Sequence, residues 1–526
     1  MVKRIVWTLA LAGALVAVQP FAAFAAEGDH ADHAKNEQKD ATPVPKENAS
    51  VTHGSVEIGG RTVHYTATAG NLVIHNDKGE PDASFFYVAY TADDKDAHKR
   101  PVTFLYNGGP GSSSIWLHMG SFGPVRVATT DGEATPPAPY HVIPNHDSML
   151  DKTDLVFVDA IGTGFSEAVG KAQNKDFWGT DQDVDAFGRF IQRYITVNHR
   201  WDSPKFLYGE SYGTTRSAAL AAHLQDMGIA LNGVTLMSSI LNYGVLMPGS
   251  DMRYELYLPT YAAIAWYHHK LPQQPAQIEP FLDEVRHFAD TEYAKALAQG
   301  DTLPAAEADA VAQKLHQYTG LGVDYIKRAN LRVDASRFRK ELLRDEARTI
   351  GRYDGRFEGI DEDSVGDTPD YDPSDTAISA AYTAAFNAYL DGTLKYKHDK
   401  PYKVMAGAIR DWDWKHQTRE SRRKLPMPYV AGDLARAMRE NPGLRVFSAN
   451  GWFDLATPFH VTEFDIDHMQ LDPTLRSHVS FGYFPSGHMI YLHPAALDSL
   501  KQSLDKFYDH TLSVSASGAV ATAAAN

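Results

Sequence analysis

The chain has 526 residues, no cysteine and a formal charge of −16 at pH 7, with 43% hydrophobic residues. The missing cysteines exclude disulfides, zinc thiolates and thiol catalysis together, and the acidic balance disfavours nucleic acid and anionic membranes as partners. The length suits several domains, or one α/β core carrying insertions.

The sequence opens "MVKRIVWTLALAGALVAVQPFAAFAA", where Lys3 and Arg4 precede an apolar run from Ile5 to Val18, and Ala23 and Ala25 are spaced as AxA. This predicts a cleaved signal peptide over 1–25 rather than a membrane anchor. An exported chain of this size without cysteine fits a bacterial protein, periplasmic or secreted. No second apolar run reaches spanning length, so no membrane anchor is expected after cleavage. Residues 26–50 are polar and aperiodic and read as a flexible leader. His30 and His33 within it lack a third ligand at fixed spacing, so no metal is assigned.

A first core segment is expected over 51–245. "GRTVHYTATAGNLVIHN", "ASFFYVAYTA", "PVTFLYNGG" and "TDLVFVDAIG" read as strands, because aromatic and β-branched residues cluster between turn residues. "TDQDVDAFGRFIQRYITVNH" predicts an amphipathic helix capped by Thr180 with Asp183 three residues on. The strand "PKFLYGE", the helix "YGTTRSAALAAHLQDMG" and the strand "LNGVTLMSSIL" follow, and such alternation implies a mostly parallel sheet covered on both faces.

From 246 to 441 consecutive helical patterns predict an inserted cap, and "GLRVFSANG" and "SHVSFGYF" resume the sheet in a second core segment over 442–512. The low-complexity tail 513–526 is expected to be disordered. Within the insertion, "KRANLRVDASRFRKELLRDEAR" alternates charges as a solvated helix face does. "DEDSVGDTPDYDPSD" fails as a calcium loop because Val365 and Asp372 stand where an oxygen ligand and a glutamate are needed, which leaves an acidic surface loop.

"YGESYGTTR" carries the sharpest signal. Gly209, Ser211 and Gly213 form GxSxG where a strand becomes a helix, the elbow that lifts a nucleophilic serine above an α/β-hydrolase sheet. A serine needs a histidine to take its proton and an acid to orient that histidine, and in this fold the order is serine, acid, histidine. Asp454 in "RVFSANGWFDLATP" and His488 in "FGYFPSGHMIY" each follow a late strand in that order. "YNGGPGSSS" offers a glycine turn whose N–H groups can hold an oxyanion, with the amide of Tyr212 as second donor. Phosphate binding is excluded there by the missing Walker lysine and by Pro110, which removes an amide.

Taken together, "NGGPGSSS", "VDAIGTGFS", "GESYGTTR", "NGWFDLATP" and "PSGHM" resemble, in order over residues 100 to 495, the motifs of the serine carboxypeptidase family. The resemblance implies an α/β-hydrolase fold with a helical cap, a triad of Ser211, Asp454 and His488, an oxyanion hole from the amides of Gly109 and Tyr212, peptide substrates, and no cofactor or metal. It also implies that Glu210 and Asn107 bind the substrate's terminal carboxylate. Two facing carboxylates must share a proton, so acid pH is expected to favour peptidase action. The sequence departs from the family at Ser121, where a second glutamate is usual, and at Ser112, Trp452 and Gly213, where cysteine, aspartate and alanine are usual. An acyltransferase or esterase of the same fold is the alternative, and a non-enzymatic binding protein is disfavoured by the intact triad. Nothing in the sequence fixes the oligomeric state.

Overall fold

The computed structural model describes residues 41–524 except 94, 97, 98 and 420. The expected signal peptide, most of the leader, and His30 and His33 lie outside these residues.

The runs rich in aromatic and β-branched residues form β1 (Ala49–Ile58), β2 (Arg61–His75), β3 (Pro81–Ala92), β4 (Val102–Tyr106), β5 (Asp154–Val158), β6 (Lys205–Glu210), β7 (Gly233–Met237), β8 (Arg445–Gly451) and β9 (Val479–Phe484). They lie in the order β1-β2-β3-β5-β4-β6-β7-β8-β9, with Glu167–Ala168 added against β3. The first three strands and the β3–β5 pair are antiparallel. From β5 to β9 every pairing is parallel.

Strands β4 to β7 are buried at every position, as a sheet covered on both faces requires. Their side chains alternate between two cores. Leu207 faces a layer built by α1 (Thr180–Val197) and α2 (Tyr212–Asp226), whereas Phe206 and Tyr208 face the opposite layer. This is the α/β-hydrolase arrangement that the elbow motif led us to expect.

The insertion is less separate than the span 246–441 suggested. Residues from Val245 to Ile350, including α3 (Met252–Tyr267) and α4 (Ile278–Phe288), gather a core of their own that closes on Phe453, Leu455 and Phe459. Beyond it, α5 (Pro373–Gly392) and α6 (Ala431–Glu440) pack on the two faces of the central sheet. The second core segment adds α7 (Phe459–Asp467) and α8 (Pro494–Ala524).

Four local expectations are corrected. The cap residue of α1 is Gly179, so Thr180 is already the first helical residue and makes no capping bond, and the Asp183 carboxylate is bound by Arg216. The far end of the leader is tied down: Thr42 pairs with Gly170, Glu47 bridges Arg193 at 3.0 Å, and β1 already starts at Ala49. The tail over 513–526 is helical as far as Ala524, since alanine propagates a helix already nucleated. The basic stretch is a solvated face only in part: Lys327 and Arg328 are exposed, but Arg339 and Lys340 are buried, and Lys340 meets Asp361 at 2.5 Å and thereby docks the acidic loop. Among the described residues no helix is long and apolar enough to cross a membrane.

Candidate active site

Strand β6 ends on Glu210, and Ser211 turns the chain into α2 with φ 60° and ψ −130°. This strained conformation is the one the elbow imposes on its nucleophile. It requires a bare backbone beneath it: a Cβ on Gly209 would stand 2.2 Å from the carbonyl oxygen of Gly213. Gly213, where alanine was the usual residue, has its own reason, since a Cβ there would lie 2.8 Å from the carbonyl oxygen of Tyr106.

The histidine and its acid meet across β8 and β9. His488 Nδ1 lies 2.8 Å from Asp454 Oδ2, with both side chains buried. Asp454 also accepts the amides of Ala456 and Thr457 at 2.8 and 3.0 Å and the Thr457 hydroxyl at 2.7 Å. Trp452 leaves it the only acid in that turn. Burial alone would pull the His488 imidazole down, but the charge and hydrogen bond of Asp454, helped by Glu210, hold it above its ordinary value. The elbow and the histidine loop are fixed to one strand end: the Ser211 amide donates to the carbonyl of Met237 at 3.0 Å, and the hydroxyl of the next residue, Ser238, donates to the carbonyl of His488 at 2.6 Å.

The glycine turn packs directly on the elbow. A Cβ on Gly108 would be 2.4 Å from the Tyr212 nitrogen, so no other residue lets the turn approach. Gly109 follows at φ 103°, and Tyr212 opens α2, where a helix leaves its first amides unpaired. The turn is held from below by two groups. Arg216, wholly buried, binds Asp183 through two nitrogens at 2.7 and 3.2 Å and donates to the Asn107 carbonyl at 2.9 Å. Asp159 accepts the Ser114 amide and the Tyr402 hydroxyl, each at 2.8 Å, and burial pushes its carboxyl up to about 7.

Glu210 is buried beside this assembly. Tyr491 donates to its Oε2 at 2.9 Å, and the Asn107 side chain, which accepts the Leu117 amide at 3.0 Å, is close enough to act on it. Burial pushes the carboxyl up to about 7, even though His488, Tyr491 and Asn107 all act to lower it. Ser121 adds no second acid: it is buried and its hydroxyl donates to the carbonyl of Leu117 at 2.6 Å. On the other side of the serine, the Tyr212 ring packs edge-on against Trp412 and Trp414, and Tyr243 joins the same cluster.

Sequence reasoning had assigned the seven site residues but not their supports. Tyr491, one turn past His488, and Asp159, inside a quoted motif, stood close enough to be noticed. Asp354 and Tyr353, in contrast, carry no motif. The Gly487 amide donates to Asp354 at 3.1 Å and the His488 amide to the Tyr353 carbonyl at 2.6 Å, while Arg356 is buried against Asp354 at 2.7 Å. A segment of the insertion therefore grips the histidine loop.

A strained serine at an elbow, a buried aspartate–histidine pair and a glycine turn define the class, the serine-nucleophile α/β hydrolases. A model of the serine carboxypeptidase family matches residues 61–475, and the chain belongs to that family. His488 lies just beyond the matched span. The pheromone-processing carboxypeptidase KEX1 of Saccharomyces cerevisiae is 32% identical over 156 residues, which is 27% of this chain and 20% of that protein, so the match spans only about a fifth of the relative's length. Among solved structures, the chain is similar to a proline iminopeptidase of Mycobacterium smegmatis, at 14% identity and TM-score 0.36 over 84% of this chain and 99% of that one. It is also similar to a carboxyl esterase of Bacillus coagulans, at 11% identity and TM-score 0.35 over 84% and 98% of the two chains.

Proposed function

We propose that the protein is an exported serine carboxypeptidase that removes C-terminal residues from peptides and works best at acid pH. Ser211 attacks the last peptide carbonyl, His488 takes its proton and passes it to the leaving amine, and Asp454 orients the ring. The amides of Gly109 and Tyr212 stabilise the oxyanion. Water activated by His488 then releases the acyl group.

The observation that carries this reading is the buried carboxyl of Glu210 beside Ser211, held by Tyr491 and raised to about 7 by burial. Protonated, it donates a hydrogen bond to a substrate carboxylate; ionised, it repels one. Its state is coupled to His488, because each charge stabilises the other. One proton shared by the pair can sit on either group. A bound carboxylate selects the form with Glu210 protonated and His488 neutral, which is also the form in which His488 acts as a base.

The test compares a blocked dipeptide with its C-terminal amide at pH 5. The free acid should be turned over with a kcat/KM higher by about a hundredfold, the order expected when a site's buried polar group is left unpaired. Equal turnover removes the carboxylate clamp and leaves an esterase or acyltransferase. Export rests on the amino-terminal segment, and its check is whether the mature chain in a periplasmic or secreted fraction begins after Ala25.

A further inference from the structure

The insertion also reaches the oxyanion donors. Between α5 and α6 the chain is irregular apart from one 3-10 turn at Gly407–Arg410, and residues 402–416 run as a strap along the glycine turn and the elbow. The Gly164 amide donates to the Lys403 carbonyl at 2.7 Å, the Ser113 amide to the Val404 carbonyl at 2.9 Å, and the Ala406 amide to the Gly111 carbonyl at 2.8 Å. A Cβ on Gly111 would stand 2.9 Å from that of Ala408, so strap and turn touch. Farther on, Trp412 and Trp414 lie edge-on to the Tyr212 ring, with centroids 5.3 and 6.2 Å away. One stretch of chain therefore braces both the turn that carries the Gly109 amide and the residue that carries the second amide.

Two side chains fasten it. At one end Tyr402 donates to Asp159 at 2.8 Å, the carboxylate that also accepts the Ser114 amide. At the other end the buried His416 ring lies between carboxylates of two helices: Nδ1 is 2.7 Å from Asp181 Oδ1 on α1, and Nε2 is 2.8 Å from Asp433 Oδ2 on α6. A neutral imidazole has one N–H, so only the imidazolium donates to both. Lys424, paired with Asp181 at 2.7 Å, Arg436, paired with Asp226 at 2.8 Å, and Asp413 on the strap add their charges at this end. Burial alone would lower the His416 ring, but Asp181 and Asp433 raise it to about 9.

We propose that the strap holds the amides of Gly109 and Tyr212 in register for the oxyanion, and that His416 is the positioning residue that fastens it. It acts through Trp412, Trp414 and the elbow rather than on substrate. The inference rests on the oxyanion hole of the proposed function but not on its carboxylate clamp, so the test uses ethyl esters of N-blocked amino acids, which carry no free carboxylate. Their kcat and KM are followed from pH 8 to 10, with Ki at pH 8 for the matching N-blocked amino aldehyde, whose adduct with Ser211 mimics the tetrahedral intermediate. At pH 8, His416→Gln should lower kcat about tenfold with KM nearly unchanged and raise the aldehyde Ki by a similar factor, less than the about 10²–10³ lost with a whole oxyanion donor. Wild-type kcat should fall as pH rises through 9, whereas His416→Gln should run flat. His416→Arg, still charged at pH 10 and with donors for both carboxylates, should keep most of the rate without the fall. Tyr402→Phe frees the other end and should lower kcat and aldehyde affinity in the same proportion, which decides the matter even where His416→Gln does not fold. Wild-type kcat in Tyr402→Phe or His416→Gln overturns the proposal. So does an alkaline fall that persists in His416→Gln, or a loss that appears in KM while aldehyde binding is unchanged. The expected losses on esters, in an enzyme that cleaves no dipeptide, would sink the carboxypeptidase reading and uphold the role of His416.

Discussion

The elbow region and the insertion solve the same problem, placing a side chain to within a fraction of an ångström, by different means. Around Ser211 the placement is made by backbone: Gly209 and Gly108 stand where a Cβ would be 2.2 and 2.4 Å from neighbouring main-chain atoms. Around His488 it is made by polar groups that come from the insertion, namely the Tyr353 carbonyl and the buried Asp354–Arg356 pair. A motif can encode the first because the constraint is local. The second depends on residues more than a hundred positions away from the loop they hold, so it should tolerate change in identity but not loss of a partner.

The strongest break on the elbow side is Ser211→Ala. It should lower kcat by about 10⁵-fold or more, the scale on which a nucleophile and its base act as a unit, while the melting temperature stays close to wild type. A residual activity above about 1% would remove Ser211 from the mechanism. On the insertion side, Asp354→Ala leaves Arg356 as a buried charge with Asp131 as its remaining carboxylate partner among the described residues, and frees the Gly487 amide. Breaking one partner of such a pair costs about 3–5 kcal/mol, so denaturant unfolding should show a large loss of stability together with a fall in kcat. A variant as stable as wild type would show that the histidine loop holds itself.

A smaller effect joins the two regions through pH. His460 on α7 lies between Glu463 at 2.6 Å and Asp290 of the insertion at 2.8 Å. Burial alone would lower its imidazole, but the two carboxylates raise it to about 9. A histidine raised above its unfolded value of about 6.5 contributes stability that is fully present below that pH and is lost as pH rises through 9. The wild type should therefore exceed His460→Gln in stability by an amount on the order of 2–3 kcal/mol at pH 6, and the gap should close by pH 10. A gap constant with pH would mean that His460 acts by packing alone.

Legibility followed the same division. The strands, the elbow at Ser211, the glycine turn and the pairing of Asp454 with His488 were readable because each depends on a few adjacent residues whose backbone chemistry is fixed. Asn107 and Glu210 were readable only through the resemblance to a family, since nothing local says that Tyr491 will reach Glu210. The supports from the insertion were not readable at all. Asp183 looked like a helix cap and is an ion-pair partner of Arg216; Lys340 looked solvated and is buried against Asp361. A charged residue has the same local signature in either role, and only its distant partner decides which one it takes.

Glu210 sits where the two regions meet, and Glu210→Gln is the finest probe of how they cooperate. In the wild type the carboxyl is raised to about 7 by burial, against an ordinary value near 4.3. A raised carboxyl binds a proton more readily in the folded state, so the stability it contributes is complete below about pH 4 and is lost as pH rises through 7. The glutamine cannot ionise and escapes that loss, so the variant should melt higher than wild type at pH 8 and about equally at pH 4. Its activity should move the other way. Wild-type kcat/KM for free-acid dipeptides should fall by about tenfold for each pH unit above 7 as the donor form of Glu210 disappears, whereas the variant should run flat through that range from a lower maximum. Parallel profiles for the two proteins would assign the alkaline fall to another group. A variant no more stable at pH 8 would show that the Glu210 carboxylate is better solvated than its burial implies, and the cost of keeping an acid next to the nucleophile would then be small.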